Sequence, residues 1–244
     1  MHKTELKAGE LIGYRVYAAD GEAGALRDLV LEPGAWQIRY LVVGADAWAP
    51  NHEVLVAPRA VGGVDEARRE VETGLSIDEV RNSPSLAAGS PVVRDFEENW
   101  YRHYGWEQYW EAEIDVEAAP EPPVPPAPPA AEPLPGEANA SEPGLLRLDQ
   151  VRGWRAVTTD QVTLPLVDLL IDDSDWHIDF FEVEVGSNGR ARPERCLVDE
   201  DYVVGADPME GRLYLSVDSA SLRAAPRLPH PGTAGDTAVR TLAR

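Results

Sequence analysis

Cysteine, lysine and unbroken apolar runs are what this chain of 244 residues has least of. A single cysteine, Cys196, excludes an internal disulfide, so no oxidising compartment is implied. The only lysines are Lys3 and Lys7, no block of basic residues occurs, and the formal net charge is −21. An acidic surface repels the phosphate backbone, and nucleic-acid binding normally needs a basic face that releases counterions. Direct nucleic-acid binding is therefore not expected. The same charge opposes docking on an anionic membrane and favours a basic protein partner. No apolar run reaches the length of a membrane span, and no charged-then-apolar leader opens the chain, so the expected location is the cytoplasm.

Catalytic signatures are equally scarce. The histidines His2, His52, His103, His177 and His230 are scattered, and no nucleophile elbow, phosphate-cradling glycine loop or HExxH motif occurs. Cys196 could act as a nucleophile only if folding set His177 beside it; a lone cysteine in a strand reads as a small core residue. Asp172, Asp173, Asp175 and His177 offer carboxylates and an imidazole to a divalent cation. Their spacing lacks the central glycine and distal glutamate of an EF-hand loop, and Asp and Ser are ordinary turn residues. They are weak metal candidates. The expectation is no metal, no cofactor and no enzyme.

What the chain does have is proline in one place. Residues 117–144 hold ten of its 21 prolines. Proline removes the amide hydrogen and fixes φ, so this stretch reads as a disordered, extended linker. The sequon Asn139-Ala140-Ser141 within it reads as chance. The segments on either side repeat each other. Gly13, Tyr14, Arg15, Asp20, Asp28, Leu29, Trp36, Ile38 and Tyr40 meet Gly153, Trp154, Arg155, Asp160, Asp168, Leu169, Trp176, Ile178 and Phe180 without a gap. Further on, Leu55-Val56 meets Leu197-Val198 with the offset grown by two.

Each repeat reads as short strands. In the first they are Tyr14–Tyr17, Leu26–Leu31, Gln37–Val43, Glu53–Val56 and Val71–Thr73, with turns at Asp20-Gly21 and Glu32-Pro33-Gly34. Alternation puts Ile38, Tyr40 and Val42 on one face and Leu41 and Val43 on the other, a strand covered on both sides. Close, regular strand spacing predicts a small closed barrel. Ser76-Ile77-Asp78-Glu79 is a capping box that starts a short helix ending before Ser83-Pro84. A second helix is predicted from Asp95 to Gly105, with Phe96, Trp100 and Tyr104 on one face.

Leu11-Ile12-Gly13-Tyr14, Asp20-Gly21-Glu22-Ala23-Gly24 and Trp36-Gln37-Ile38-Arg39-Tyr40-Leu41-Val42-Val43 resemble the PRC-barrel pattern, named after the cytoplasmic domain of the photosynthetic reaction-centre H subunit. Pro91-Val92-Val93-Arg94, His103-Tyr104-Gly105-Trp106 and Tyr109-Trp110 resemble the tail that follows the barrel in stand-alone members. The second copy departs from the pattern: Gln161 stands for Gly21, Leu164 for Gly24 and Asp179 for Arg39, and Pro165 enters a strand. The expected fold is mostly β. It comprises a first PRC-type barrel (5–83), a helix and aromatic tail packed on it (84–116), the linker (117–144), a divergent second barrel (145–222) and a disordered tail (223–244).

The resemblance implies protein or ribonucleoprotein contacts and no catalytic set. Trp100, His103, Tyr104, Trp106, Tyr109 and Trp110 are the candidate partner-binding residues, read either as packing on the barrel's flank or as an interface anchor. The expected function is a non-enzymatic adaptor or scaffold that binds a protein, with self-association also open. The resemblance leaves two other roles, an accessory of photosynthetic electron transport and a ribosome-maturation factor.

Overall fold

The structure is a computed structural model and describes residues 5–46, 48–112, 144–186 and 194–224. The expected linker, apart from Gly144, and the expected tail beyond Ala224 lie outside the described residues, as does the sequon at Asn139. The described chain is mostly β. No helix in it is long and apolar enough to cross a membrane.

The first half runs β1 (Glu5–Lys7), α1 (Ala8–Leu11), β2 (Arg15–Ala18), β3 (Gly21–Glu32), β4 (Gln37–Gly44), β5 (His52–Val56), β6 (Val61–Asp65), β7 (Glu70–Thr73), α2 (Ile77–Asn82), β8 (Ser85–Ala87), α3 (Arg94–Tyr104) and α4 (Tyr109–Ala112). The second runs β9 (Leu146–Arg147), α5 (Leu148–Val151), β10 (Arg155–Val157), β11 (Thr163–Asp172), β12 (Ile178–Gly186), β13 (Glu194–Asp199), β14 (Val203–Asp207), β15 (Arg212–Leu215) and α6 (Ser219–Ala224). The sheets follow one plan, β6-β7-β2-β3-β4-β5-β8 and β14-β15-β10-β11-β12-β13.

The repeat persists at the level of register. Leu26 pairs with Val43 and Leu166 with Val183; Leu29 with Leu41 and Leu169 with Phe181. Both β-bulges recur, between Leu26 and Asp28 and between Val30 and Leu31 in one half, and between Leu166 and Asp168 and between Leu170 and Ile171 in the other. The second bulge corrects the face assignment made from alternation. An extra residue, Arg39, sits between Ile38 and Tyr40, so Ile38 joins Leu41 and Val43 on the inner face while Tyr40 and Val42 point outward. A bulge shifts the period of two by one residue, which sequence alternation alone does not show.

The expected closed barrels are not formed. Among the described residues neither sheet pairs its two ends: β6 and β8 bound one sheet, β14 and β13 the other. The reason is that each half closes its core with the other. One continuous cluster takes in Leu29, Ile38 and Leu41 together with Leu169, Ile178 and Phe181. Two strands are also exchanged. Strand β3 is 12 residues long, and β2 pairs with only its first part; Val30 and Leu31 are met by Arg147 and Leu146 of β9, from the second half. Reciprocally, β1 pairs with Lys7 against Leu170 and Glu5 against Asp172 on β11. Backbone groups that a short partner strand leaves open are thereby satisfied.

A pseudo-twofold axis relates the halves, and the two repeat tryptophans mark it. Trp36 (φ 48°) and Trp176 (φ 65°) both adopt the left-handed region at their hairpin tips. That turn aims each carbonyl across the axis: the Ile38 amide donates to the Trp176 carbonyl at 3.0 Å and the Ile178 amide to the Trp36 carbonyl at 2.8 Å. The Trp36 ring meets Phe181 edge-on with centroids 4.8 Å apart. Such backbone costs of order 1 kcal/mol per residue for a bulky side chain, offset here by burial of two indoles.

Each exchanged strand carries a cation to the outer face of the opposite sheet. Arg147 donates to Asp28 at 2.8 Å and to Glu53 at 2.9 Å, all three side chains being buried, and to the Ser90 carbonyl. Burial pushes the Asp28 carboxyl up, against the hydrogen bond from Arg147. Burial alone would lower Arg147, yet its bonds to Asp28 and Glu53 hold it above the usual guanidinium range. In the other half Lys7 donates to Glu182 at 3.0 Å, Arg195 lies 3.4 Å from the same carboxylate, and Asp168 accepts the Gly9 amide at 2.9 Å. A Cβ on residue 9 would stand 2.6 Å from the Asp168 carboxylate and 2.9 Å from the Arg152 guanidinium, so any larger residue there displaces those side chains.

Two outcomes are expected. Cleavage of the full chain between residues 117 and 143 leaves both pieces co-eluting at the uncut size until denaturant separates them; pieces that part in native buffer would contradict a shared core. Arg147→Ala destabilises by about 3–5 kcal/mol, read from denaturant midpoints, because two buried carboxylates lose their counter-charge.

Candidate interaction surface

The outward residues of β3, β4 and β5 would expose an apolar patch if nothing covered them. Val30, Tyr40, Val42 and Leu55, with Ala57 just past the end of β5, are instead buried beneath the chain that follows α2. Ser76 starts α2 with the expected capping box, both reciprocal bonds with Glu79 being present, and the Asp20 side chain accepts the Ile77 amide. The helix ends at Asn82, as Ser83-Pro84 requires, and β8 then pairs with the edge of β5. Helix α3 begins at Arg94 and is stopped by Gly105 in the left-handed conformation (φ 64°), which closes the last turn by donating to Arg102 and Tyr101.

Trp100 is the centre of the arm. It is fully buried, donates its indole N–H to the Leu55 carbonyl at 3.2 Å, and meets Tyr40 edge-on at 5.2 Å. Tyr101 is buried beside it. The remaining sequence candidates lie further out. Tyr104, Trp106, Tyr109 and Trp110 are half-buried and His103 is exposed. Tyr104 and Trp106 stack at 4.7 Å and 23°. The structure thus brings Trp100, Tyr104, Trp106, Tyr109 and Trp110 into one cluster with Tyr101, but places Trp100 in its interior, out of reach of any partner, and His103 on its rim against Tyr104.

Three arginines, none of which the sequence reading grouped with the aromatics, cover the rings. Arg59 lies over Trp106 at 4.8 Å, Arg94 over Trp110 at 4.0 Å and Arg39 over Tyr109 at 3.8 Å. Arg39 also pairs with Glu32. Cation–π pairs of this kind are worth ~0.5–2 kcal/mol and hold the rings in fixed poses. No spacing rule links Arg59 to Trp106; the only legible hint was Arg94 inside the family-like tail motif.

Beneath the rings sits a buried acid. Glu97 accepts from the Tyr40 hydroxyl at 2.8 Å and from the Tyr109 hydroxyl at 3.2 Å, with Arg94 3.5 Å away. Burial pushes the Glu97 carboxyl above its usual range, against these bonds. Burial also raises the Tyr40 and Tyr109 hydroxyls, and the Glu97 charge adds to both. These phenols stay donors at any ordinary pH.

The other candidates have local work. The Asp172 carboxylate accepts the Ser174 amide and hydroxyl, Asp175 accepts the His177 amide, and His177 lies 3.6 Å from Asp179. Asp173 occupies the same hairpin turn between β11 and β12. These acids shape the turn that presents Trp176, and among the described residues no group of three or more potential ligands is placed to hold a metal ion. Cys196 is buried on β13, where it pairs with Val183 and donates to the Leu222 carbonyl. His177 is six residues from Val183 along the neighbouring strand, roughly 20 Å away, so the two are not brought together.

A raised carboxylate pKa means the folded state binds the Glu97 proton more tightly than the unfolded chain. Its contribution to stability is therefore greatest at low pH and falls as pH rises from the ordinary glutamate range through the folded value. Glu97→Gln, which keeps an acceptor for both tyrosines, is expected to remove that decline in thermal melts scanned from pH 4.5 upward; an unchanged slope would place the titration elsewhere. No protein-family model matches this sequence, and no curated protein matches it either, so what the surface does rests on its own geometry.

Proposed function

We propose that the chain is a non-enzymatic scaffold of the PRC-barrel type, each sheet being an opened barrel of that kind, and that it binds a protein partner on the half-exposed side of the aromatic arm. The observation that carries this reading is the ridge formed by Tyr104 stacked on Trp106 with Arg59 over the indole. Tryptophan, tyrosine and arginine, held rigid on a packed base, are the residue types that dominate binding energy in protein interfaces. Trp100 supplies the base: anchored from below, the ridge loses little conformational entropy on association. The strongly acidic remainder of the chain steers toward it a partner with a basic rim, while phosphate-bearing polymers are repelled.

The test is a photo-crosslinking amino acid at His103 of the full-length protein in its own cells, with a second at exposed Met209 in the other half as control. A single protein adduct is expected at position 103 and not at 209. With the partner identified, Arg59→Ala and Trp106→Ala should each weaken the purified complex by about ten- to thirtyfold, with the melting temperature of Arg59→Ala lowered by no more than a few degrees. Indistinguishable adduct patterns at the two positions would sink the proposal.

A further inference from the structure

The ridge carries a charge opposite to that of the chain. In a protein of net charge −21, several arginines of the first half answer a carboxylate: Arg15 pairs with Glu70, Arg27 with Asp46, Arg39 with Glu32 and Arg68 with Asp65. Arg59 and Arg81 do not. Among the described residues neither lies within ion-pair distance of an acid, and each sits instead over a half-buried tryptophan, Arg59 over Trp106 at 4.8 Å and Arg81 over Trp48 at 5.4 Å. Of the two, only Arg59 belongs to the ridge. We propose that Arg59 reads a peptide carboxylate, so that the partner presents there an aspartate or glutamate flanked by an apolar side chain. This rests on the reading of the ridge as a protein-binding surface and adds the chemistry that the ridge selects.

Three observations carry it. First, the guanidinium is positioned. Pro58 opens a single 3-10 turn, Pro58–Ala60, just after β5, which fixes where Arg59 leaves the backbone. The Trp106 ring beneath it is itself stacked on Tyr104, whose hydroxyl donates to the Glu79 carbonyl on α2. Second, the guanidinium is open. Arg59 is exposed, and a guanidinium set over a ring uses its face there and keeps its N–H edge for a planar carboxylate, taken through two parallel bonds.

Third, the neighbouring acids are committed elsewhere or out of reach. Glu97 lies beneath the rings and accepts from Tyr40 and Tyr109, and Glu79 closes the α2 capping box. Glu107, next to Trp106 in sequence, is exposed and makes no ion pair with Arg59. The paired rings of Tyr104 and Trp106 supply an apolar platform for the flanking side chain. A carboxylate fits better than a phosphate, because the summed field of an acidic chain works against every added ligand charge while the two-bond contact is local.

The test is selection of a displayed library of random peptides on the full-length protein. Enriched peptides are then titrated against Arg59→Lys, Arg59→Glu and Trp106→Ala, with Arg155→Glu, at an exposed arginine of the second half, as the control for net charge. They are expected to carry Asp or Glu beside an apolar residue. Binding should weaken about five- to tenfold in Arg59→Lys, which keeps the charge but loses the fork, and about fiftyfold or more in Arg59→Glu, and stay unchanged in Arg155→Glu. Peptides that are lost with Trp106→Ala yet contain no acidic residue would overturn this inference and leave the ridge a protein-binding surface. Equal losses in Arg59→Glu and Arg155→Glu would reduce the effect to net charge and overturn it as well. A labelled RNA oligonucleotide held by the unaltered protein and released by Arg59→Glu would give the site to phosphate instead. If no enriched peptide depends on Trp106, this inference and the reading beneath it fall together.

Discussion

The structure depends on a mismatch of strand lengths. Strand β3 extends well past the end of β2, and β11 past the end of β10, so each sheet has a stretch of central-strand backbone that its own half cannot pair. Unpaired amides and carbonyls beside a hydrophobic core are not tolerated in isolation. The first strand of each half fills the gap in the other, and once those strands are exchanged the two inner faces lie against each other as one core. The sheets have no need to close on themselves, because each is the other's lid.

Duplication of a unit that pairs in this way gives an intramolecular dimer, and tethering lets its two sides diverge. The charges under the exchanged strands record the divergence. In one half the acids are Asp28 on β3 and Glu53 on β5, facing Arg147; in the other Asp168 keeps the place of Asp28 but accepts the Gly9 amide, Glu182 on β12 pairs with Lys7, and Arg195 occupies the position of Glu53. Each arrangement is internally matched: Arg147 faces two carboxylates, and Lys7 shares Glu182 with Arg195. Buried charge pairs of this type contribute little net stability but penalise wrong pairings strongly.

The outer faces diverged in parallel. The first carries Tyr40, Glu97 and Trp100 as a polar-centred aromatic stack, on which the arginine-covered ridge stands. The second replaces the tyrosine by phenylalanine. The arginine-covered ridge thus sits on one side of a nearly symmetric body.

Much of this was legible in the chain. The repeat followed from matched glycine, aspartate and tryptophan positions, and the strands, the Ser76 capping box and the Gly105 stop followed from local rules, because each depends on backbone preferences within a few residues. The face of Ile38 was misjudged because a bulge is decided by cross-strand pairing. The open sheets, the exchanged strands and the meeting of Arg147 with Asp28 and Glu53 were not legible at all. Sequence by itself determined that the chain repeats itself and where the first unit's central strands and its two main helices lie. Only the tertiary structure decided that the two units share one core, that Trp100 is interior while Trp106 faces outward, and that Arg59 covers it. Those outcomes turn on packing between residues tens to more than a hundred positions apart, where side-chain contact, not local propensity, sets the free energy.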